Sequence, residues 1–123
     1  ISRRNASYRR VVNETEVLEF LDKWGFKNVT LESMSVAKQA LLLAGAKVVV
    51  APHGAGLTNL VFCKEGTKVI EFMAPDAVRK SYYEISNYCN LEYYYLIGES
   101  AEEINMSVSL DLLSKLLGLA GIC

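Results

Sequence analysis

Cysteine is scarce in this sequence. Its 123 residues hold three, Cys63, Cys89 and Cys123. They are too few and too scattered for a disulfide scaffold, and none stand in the Cys-x-x-Cys spacing of a zinc site. No apolar run reaches the ~18 residues of a membrane span, and no signal peptide opens the chain. Charge of one sign is lacking too: 13 Lys and Arg against 14 Asp and Glu leave a formal −1. That balance argues against a broad nucleic-acid-binding surface and leaves room for a local basic patch only. Gly-x-Ser-x-Gly and Walker A patterns are absent. Glu71 and Asp76 have no acidic or histidine neighbour in sequence with which to hold zinc or magnesium. Disorder, coiled coil and collagen are excluded as well.

What is present is apolar sequence in short, alternating segments. Half the residues (51%) are hydrophobic, and a chain of this length buries about two-thirds of its unfolded surface around one core. Val17, Leu18, Phe20, Leu21 and Trp24 recur at helical spacing behind Asn13, which is placed to cap the helix, and Gly25 ends it. Phe26 to Leu31 is β-prone. A second helix is expected behind Ser33 or Ser35, with Val36, Ala37, Ala40, Leu41 and Ala44 on its inner face. Lys47 to Ala51 is a β-branched run suited to a strand covered on both faces. Leu57 to Cys63 reads as a short helix, Lys68 to Phe72 and Glu92 to Ile97 as strands, and Ser81 to Asn90 as a helix. Gly98 to Met106 reads as a polar loop, and Val108 to Leu119 as a last helix. Such alternation predicts an α/β domain over 1–123 with a mostly parallel sheet of four to five strands. The chain opens on Ile, at what reads as the end of a strand, so a fragment is expected.

In open α/β sheets ligands collect at the carboxyl ends of strands. Three groups fall there: Ser2-Arg3-Arg4 with Arg9 and Arg10 following; His53-Gly54-Ala55-Gly56-Leu57-Thr58-Asn59; and Glu71. Two glycines permit positive φ and close backbone approach, and a helix start offers N–H groups to an anion. Arginine matches phosphate bidentately, and a carboxylate on the next strand suits ribose hydroxyls. Together these describe a nucleotide diphosphate site. Each piece also has a plainer reading. The arginines can form a solvated face, Glu71 can pair with Lys68 at the surface, and His53, the sole histidine, can be a hydrogen-bonded structural group. Cys63 reads as core. The tyrosines read as packing residues, with one available to stack on a base or sugar. A dinucleotide-binding Rossmann site is the nearest competitor, since Glu71 follows Gly54 at near the expected ~20-residue distance. Asn59 in place of the third glycine, and the motif's place mid-chain, count against it.

The blocks ISRRNASYRRVVNETEV and LESMSVAKQALLLAGAKVVVAPHGAGLTNLVFCKEGTKVIEF closely resemble the C-terminal half of glycosyltransferase family 61. The resemblance extends over roughly residues 1 to 97. It implies an inverting, metal-independent enzyme of GT-B type using UDP-sugars, whose Rossmann-like, three-layer C-terminal lobe holds the donor. The missing N-terminal lobe would supply most of the acceptor site, for a glycan or glycoprotein. By position, Arg3 belongs to the Ser-Arg motif and Arg9 to the Arg-x-x-x-Asn motif, with Arg3 on the diphosphate. His53, Gly54, Ala55, Gly56, Leu57 and Thr58 would form the donor-phosphate loop. Glu71 would take ribose or stand just behind it, and the Leu31 to Ser35 loop would meet uracil. His53 is a weak candidate for the catalytic base, which the resemblance assigns rather to the absent lobe. No cofactor and no metal are implied. A non-catalytic α/β nucleotide-binding or interaction module is the alternative. Four Asn-x-Ser/Thr sequons, at Asn5, Asn13, Asn28 and Asn105, suit a Golgi or ER lumenal protein with a membrane-anchored parent. A bacterial member would be cytoplasmic.

Overall fold

Three parallel strands carry the architecture. The computed structural model describes residues 1–6, 10–102 and 105–122. Strands β1 (Val48–Pro52), β2 (Lys68–Met73) and β3 (Glu92–Ile97) pair in the order β1-β2-β3, with Ala51, Glu71 and Tyr95 level across the sheet. β2 is central and almost wholly buried, which is why its sequence is a continuous apolar run broken by Glu71 alone after Lys68.

Successive strand residues point to opposite faces, and each face has its own core. Val50, Ile70, Phe72 and Leu96 pack with Val17 and Leu21 of helix α1 (Glu14–Asp22) and with Leu113 and Leu117 of helix α4 (Leu110–Leu119). Val49, Ala51 and Val69 pack on the other face with Leu43 of helix α2 (Val36–Ala44), Tyr82 of helix α3 (Ser81–Tyr88), and Leu57 and Leu60. The last two lie on a 3₁₀ helix over Ala55–Phe62, which joins β1 to β2. Each fully buried aliphatic side chain contributes about 1.5–3 kcal/mol from its removal from water.

Several expectations are corrected. The sheet has three strands among the described residues, where four to five were expected. The 26–30 segment forms no strand; Ser2 N–H donates to its Val29 carbonyl (2.8 Å), and the Ile1 amine donates to Val50 O (2.8 Å). The stretch 98–106, expected as a loop, contributes to a short antiparallel pair, β4 (Glu99–Ser100) with β5 (Met106–Ser107). On α2 the buried residue is Leu43, whereas Val36 and Leu41 are 71% and 75% exposed. That helix is apolar nearly all round, so periodicity does not choose a face.

Asn13 makes no side-chain cap to α1. Its amide instead clamps Val108: Nδ2 donates to Val108 O (2.8 Å) and Val108 N–H donates to Oδ1 (2.9 Å). Ser35 and Ser109 do cap, accepting from Lys38 N–H (3.2 Å) and Leu112 N–H (3.3 Å). No helix among the described residues is long and apolar enough to cross a membrane.

Candidate functional site

β1 stops at Pro52, and the next residue, His53, remains tied to the sheet through its backbone N–H, which donates to Phe72 O at 2.8 Å. Its side chain is buried against β2 and α3. Nδ1 lies 2.6 Å from Oε2 of Glu71, and the Tyr82 ring tilts against the imidazole at 5.0 Å between centroids. Glu71 is fully buried, the sole buried carboxylate among the described residues. Its other oxygen, Oε1, accepts a hydrogen bond from the Tyr93 hydroxyl. A buried carboxylate is costly unless paired and hydrogen-bonded, and His53 and Tyr93 together supply those partners. Burial first, and the Glu71 hydrogen bond second, push the Tyr93 phenol above its ordinary range, so it stays protonated and donates.

Gly54 is explained by Arg3. A Cβ built on Gly54 would lie 2.2 Å from Arg3 Nη1 and 2.9 Å from Cζ, so the arginine side chain occupies the place of a side chain at 54. The expectation that this glycine provides positive φ is corrected: Gly54 is extended, with φ 169°. Gly56 also lies outside the positive-φ set, which comprises Gly25, Gly66, Gly121 and the non-glycine Asn90. The loop's glycine at 54 serves close approach, with Arg3 as the approaching group.

The other predicted residues divide. Leu57 is 1% exposed and anchors the loop in the core, and its N–H donates to Gly54 O at 3.0 Å. Thr58 is exposed, Gly56 half-buried, and Ala55 opens the 3₁₀ helix. Ser35 is occupied in capping α2. Arg9 lies outside the described residues. Arg4 turns away from Gly54: its Nη2 is 3.7 Å from Glu14 Oε1, which also accepts from Ser2 Oγ at 2.7 Å. The surface pairing of Glu71 with Lys68 is corrected by the burial of Glu71; Lys68 Nζ donates to Ala120 O instead. Cys63 is half-buried against the core, and burial pushes its thiol up to about 11, so its core reading holds. Sequence reasoning missed Gln39 as a brace. Its amide donates to Leu31 O (2.8 Å) and Met34 O (3.0 Å) while accepting from Asn59 Nδ2 (2.9 Å), tying the Leu31–Ser35 loop to the 3₁₀ helix. It also missed Tyr93 as a partner of Glu71; the period-two alternation that puts Tyr93 and Tyr95 on the same face of the sheet as Glu71 was the available signal.

No group of three or more His, Cys, Asp or Glu side chains that could hold a metal ion occurs among the described residues. A cavity of about 740 Å³ opens between α1, the 26–29 segment and β1; its lining is mainly apolar and includes neither Arg3, His53 nor Glu71. Chemistry rather than hollow volume therefore locates the candidate site, at the carboxyl end of β1.

The chain is an α/β domain that lays a guanidinium across the loop following a parallel strand. The Glycosyltransferase 61 family model matches residues 1–70, and the chain belongs to that family. It is 28% identical over 124 residues to a Beta-1,2-xylosyltransferase of Arabidopsis thaliana, covering 89% of this chain and 23% of that protein. A Beta-1,2-xylosyltransferase of Oryza sativa subsp. japonica is 34% identical over 93 residues, covering 69% and 17%. An EGF domain-specific O-linked N-acetylglucosamine transferase of Drosophila melanogaster is 32% identical over 71 residues, covering 55% and 14%. The chain thus spans between 14% and 23% of the length of these relatives.

Proposed function

We propose that this chain is the donor-binding part of an inverting, metal-independent glycosyltransferase of GT-B architecture that uses a UDP-sugar. The observation carrying the reading is the packing of Arg3 across Gly54, next to the buried His53–Glu71 pair. A guanidinium and an imidazole at one strand end suit the two phosphates of a nucleoside diphosphate. Family membership supports transfer as the parent's activity, and the relatives' names make xylose and N-acetylglucosamine the first sugars to try. The acceptor, a glycan or glycoprotein, would bind mainly to the rest of the parent.

The mechanism follows from the leaving group. As the bond between the sugar and UDP breaks, negative charge grows on the β-phosphate. Arg3 would stabilise that charge in place, the kind of preorganised contribution that lowers a barrier by about 2.7–4 kcal/mol per donor. The base that takes the acceptor's proton is assigned to the rest of the parent, because His53 stands on the loop that would orient the donor phosphates. Titration of the chain with UDP, followed by amide shifts, tests the reading. Shifts confined to residues 53–58 and 3, and their loss in Arg3→Ala, are expected. Absence of any such shift refutes it. Transfer from a UDP-sugar by the full-length parent separates an enzyme from a non-catalytic module of the same fold.

A further inference from the structure

The mechanism above leaves Glu71 and Tyr93 unused, although Glu71 is fully buried beside His53 and hydrogen-bonded to the half-buried Tyr93. We propose that Glu71 is a positioning residue: anchored by Tyr93, it fixes a proton on Nδ1 of His53 and so offers Nε2, on the opposite edge of the ring, to the diphosphate held by Arg3. This deepens the donor-binding reading and rests on it.

The geometry leaves little freedom in the assignment. The Tyr93 hydroxyl donates to Oε1, and its raised phenol range keeps that proton in place. An ionised Glu71 then needs a second donor at Oε2, and Nδ1 of His53 is the group in reach, at 2.6 Å. A free imidazole can place its single proton on either nitrogen; the hydrogen bond made by one nitrogen decides the state of the other. With the proton on Nδ1, Nε2 is the site that must gain a proton to donate to phosphate. Binding of the anion therefore takes up one proton wherever the ring starts neutral. The resulting imidazolium is compensated by the carboxylate behind it, as a buried cation requires. Among the described residues, the titratable groups packed on the ring are Glu71 of β2 and Tyr82 of α3, with Tyr93 of β3 behind Glu71 and Arg3 over the neighbouring Gly54.

His53 is the single histidine of the chain, so its ring nitrogens give one unambiguous set of signals in a long-range proton–nitrogen spectrum. In the wild-type chain at neutral pH the proton is expected on Nδ1. On saturation with UDP both nitrogens should be protonated, and calorimetry in two buffers of different ionisation enthalpy should show uptake of up to one proton. In Glu71→Gln a neutral amide oxygen replaces the carboxylate behind the ring, and UDP should bind roughly tenfold or more weakly, the range for loss of a charge-assisted hydrogen bond. Tyr93→Phe removes a single hydroxyl, so it should keep the Nδ1 proton and weaken UDP by a smaller factor. Should Glu71→Gln not fold, the wild-type ring and the Tyr93→Phe titration still decide. A wild-type proton on Nε2, undiminished UDP binding by Glu71→Gln, or UDP binding without ring protonation each overturns the proposal while leaving the donor reading intact. No UDP binding by the wild type, with Nδ1 protonated as expected, overturns the donor reading and with it the part assigned to Nε2.

Discussion

Replacing Gly54 by alanine separates the two things that a glycine at this position can do. If backbone conformation were the requirement, alanine would strain the chain; φ at Gly54 is 169°, an extended value open to any residue. If space is the requirement, the new methyl collides with the Arg3 side chain, 2.2 Å from Nη1, 2.9 Å from Cζ and 3.0 Å from Cδ. All three atoms belong to a flexible side chain, so the arginine swings aside rather than the backbone. The stability change is then expected to stay within about 1 kcal/mol, because removing a glycine also lowers the entropy of the unfolded chain by about 0.4–1 kcal/mol. Binding is expected to fare worse. A charge-assisted hydrogen bond is worth about 1.5–3 kcal/mol, so losing Arg3 from the phosphate should weaken UDP roughly 10- to 150-fold. Thermal unfolding and calorimetric titration of the same sample measure both quantities. The reasoning is refuted if Gly54→Ala binds UDP as the wild type does. It is refuted equally if the variant loses more than about 3 kcal/mol of stability, since that would place the requirement in the backbone.

The remaining predictions concern residues away from the loop. Asn13→Ala strands the N–H and C=O of the buried Val108, at about 1–3 kcal/mol for each unsatisfied group, so chemical denaturation should show a loss of about 2–6 kcal/mol. Produced through a secretory pathway, the chain should carry glycans at the exposed Asn5 and Asn28. It should carry none at Asn13, whose Nδ2 is spent on Val108, or at Asn105, which is 6% exposed; glycopeptide mass spectrometry reads the occupancy. With its thiol held up to about 11, from an ordinary 9.0, Cys63 should alkylate roughly 100-fold more slowly at pH 8 in the folded than in the unfolded chain, in proportion to its thiolate. The folded rate should climb tenfold per pH unit until about pH 11, and a plateau near pH 9 would contradict it.

How much of this was legible in the sequence depends on whether a signal is local or tertiary. The β1 and β2 runs announce themselves because a strand buried on both faces cannot alternate. The helix behind Ser35 announces itself because a hydroxyl at the N-cap has one geometry to satisfy, whereas the matching cap of Ser109 on α4 was not read. Asn13 has the same local appearance, yet it serves a residue 95 positions away, and nothing in its neighbourhood distinguishes the two uses. The inner face of α2 fails for a related reason: Leu41, Leu42 and Leu43 are consecutive, and burial of Leu43 alone is decided by contacts with β1 and the 3₁₀ helix.

The candidate site shows the same division. His53, Gly54 and Glu71 stood out by residue type and by their place at strand ends, but the physical reasons attached to them change. Gly54 is small because an arginine fifty-one positions earlier lies over it. Glu71, read as a group facing ribose or just behind it, is fully enclosed, with each oxygen engaged by a named partner. A carboxylate in that position cannot reach a ligand without giving up Tyr93 or His53, and leaving either unpaired costs about 1–3 kcal/mol or more in a buried setting. Its influence on an anion must therefore pass through the imidazole. Whatever charge the loop presents at the carboxyl end of β1 is set jointly by Arg3, which approaches over Gly54, and by a proton on His53 that Glu71 governs from the core.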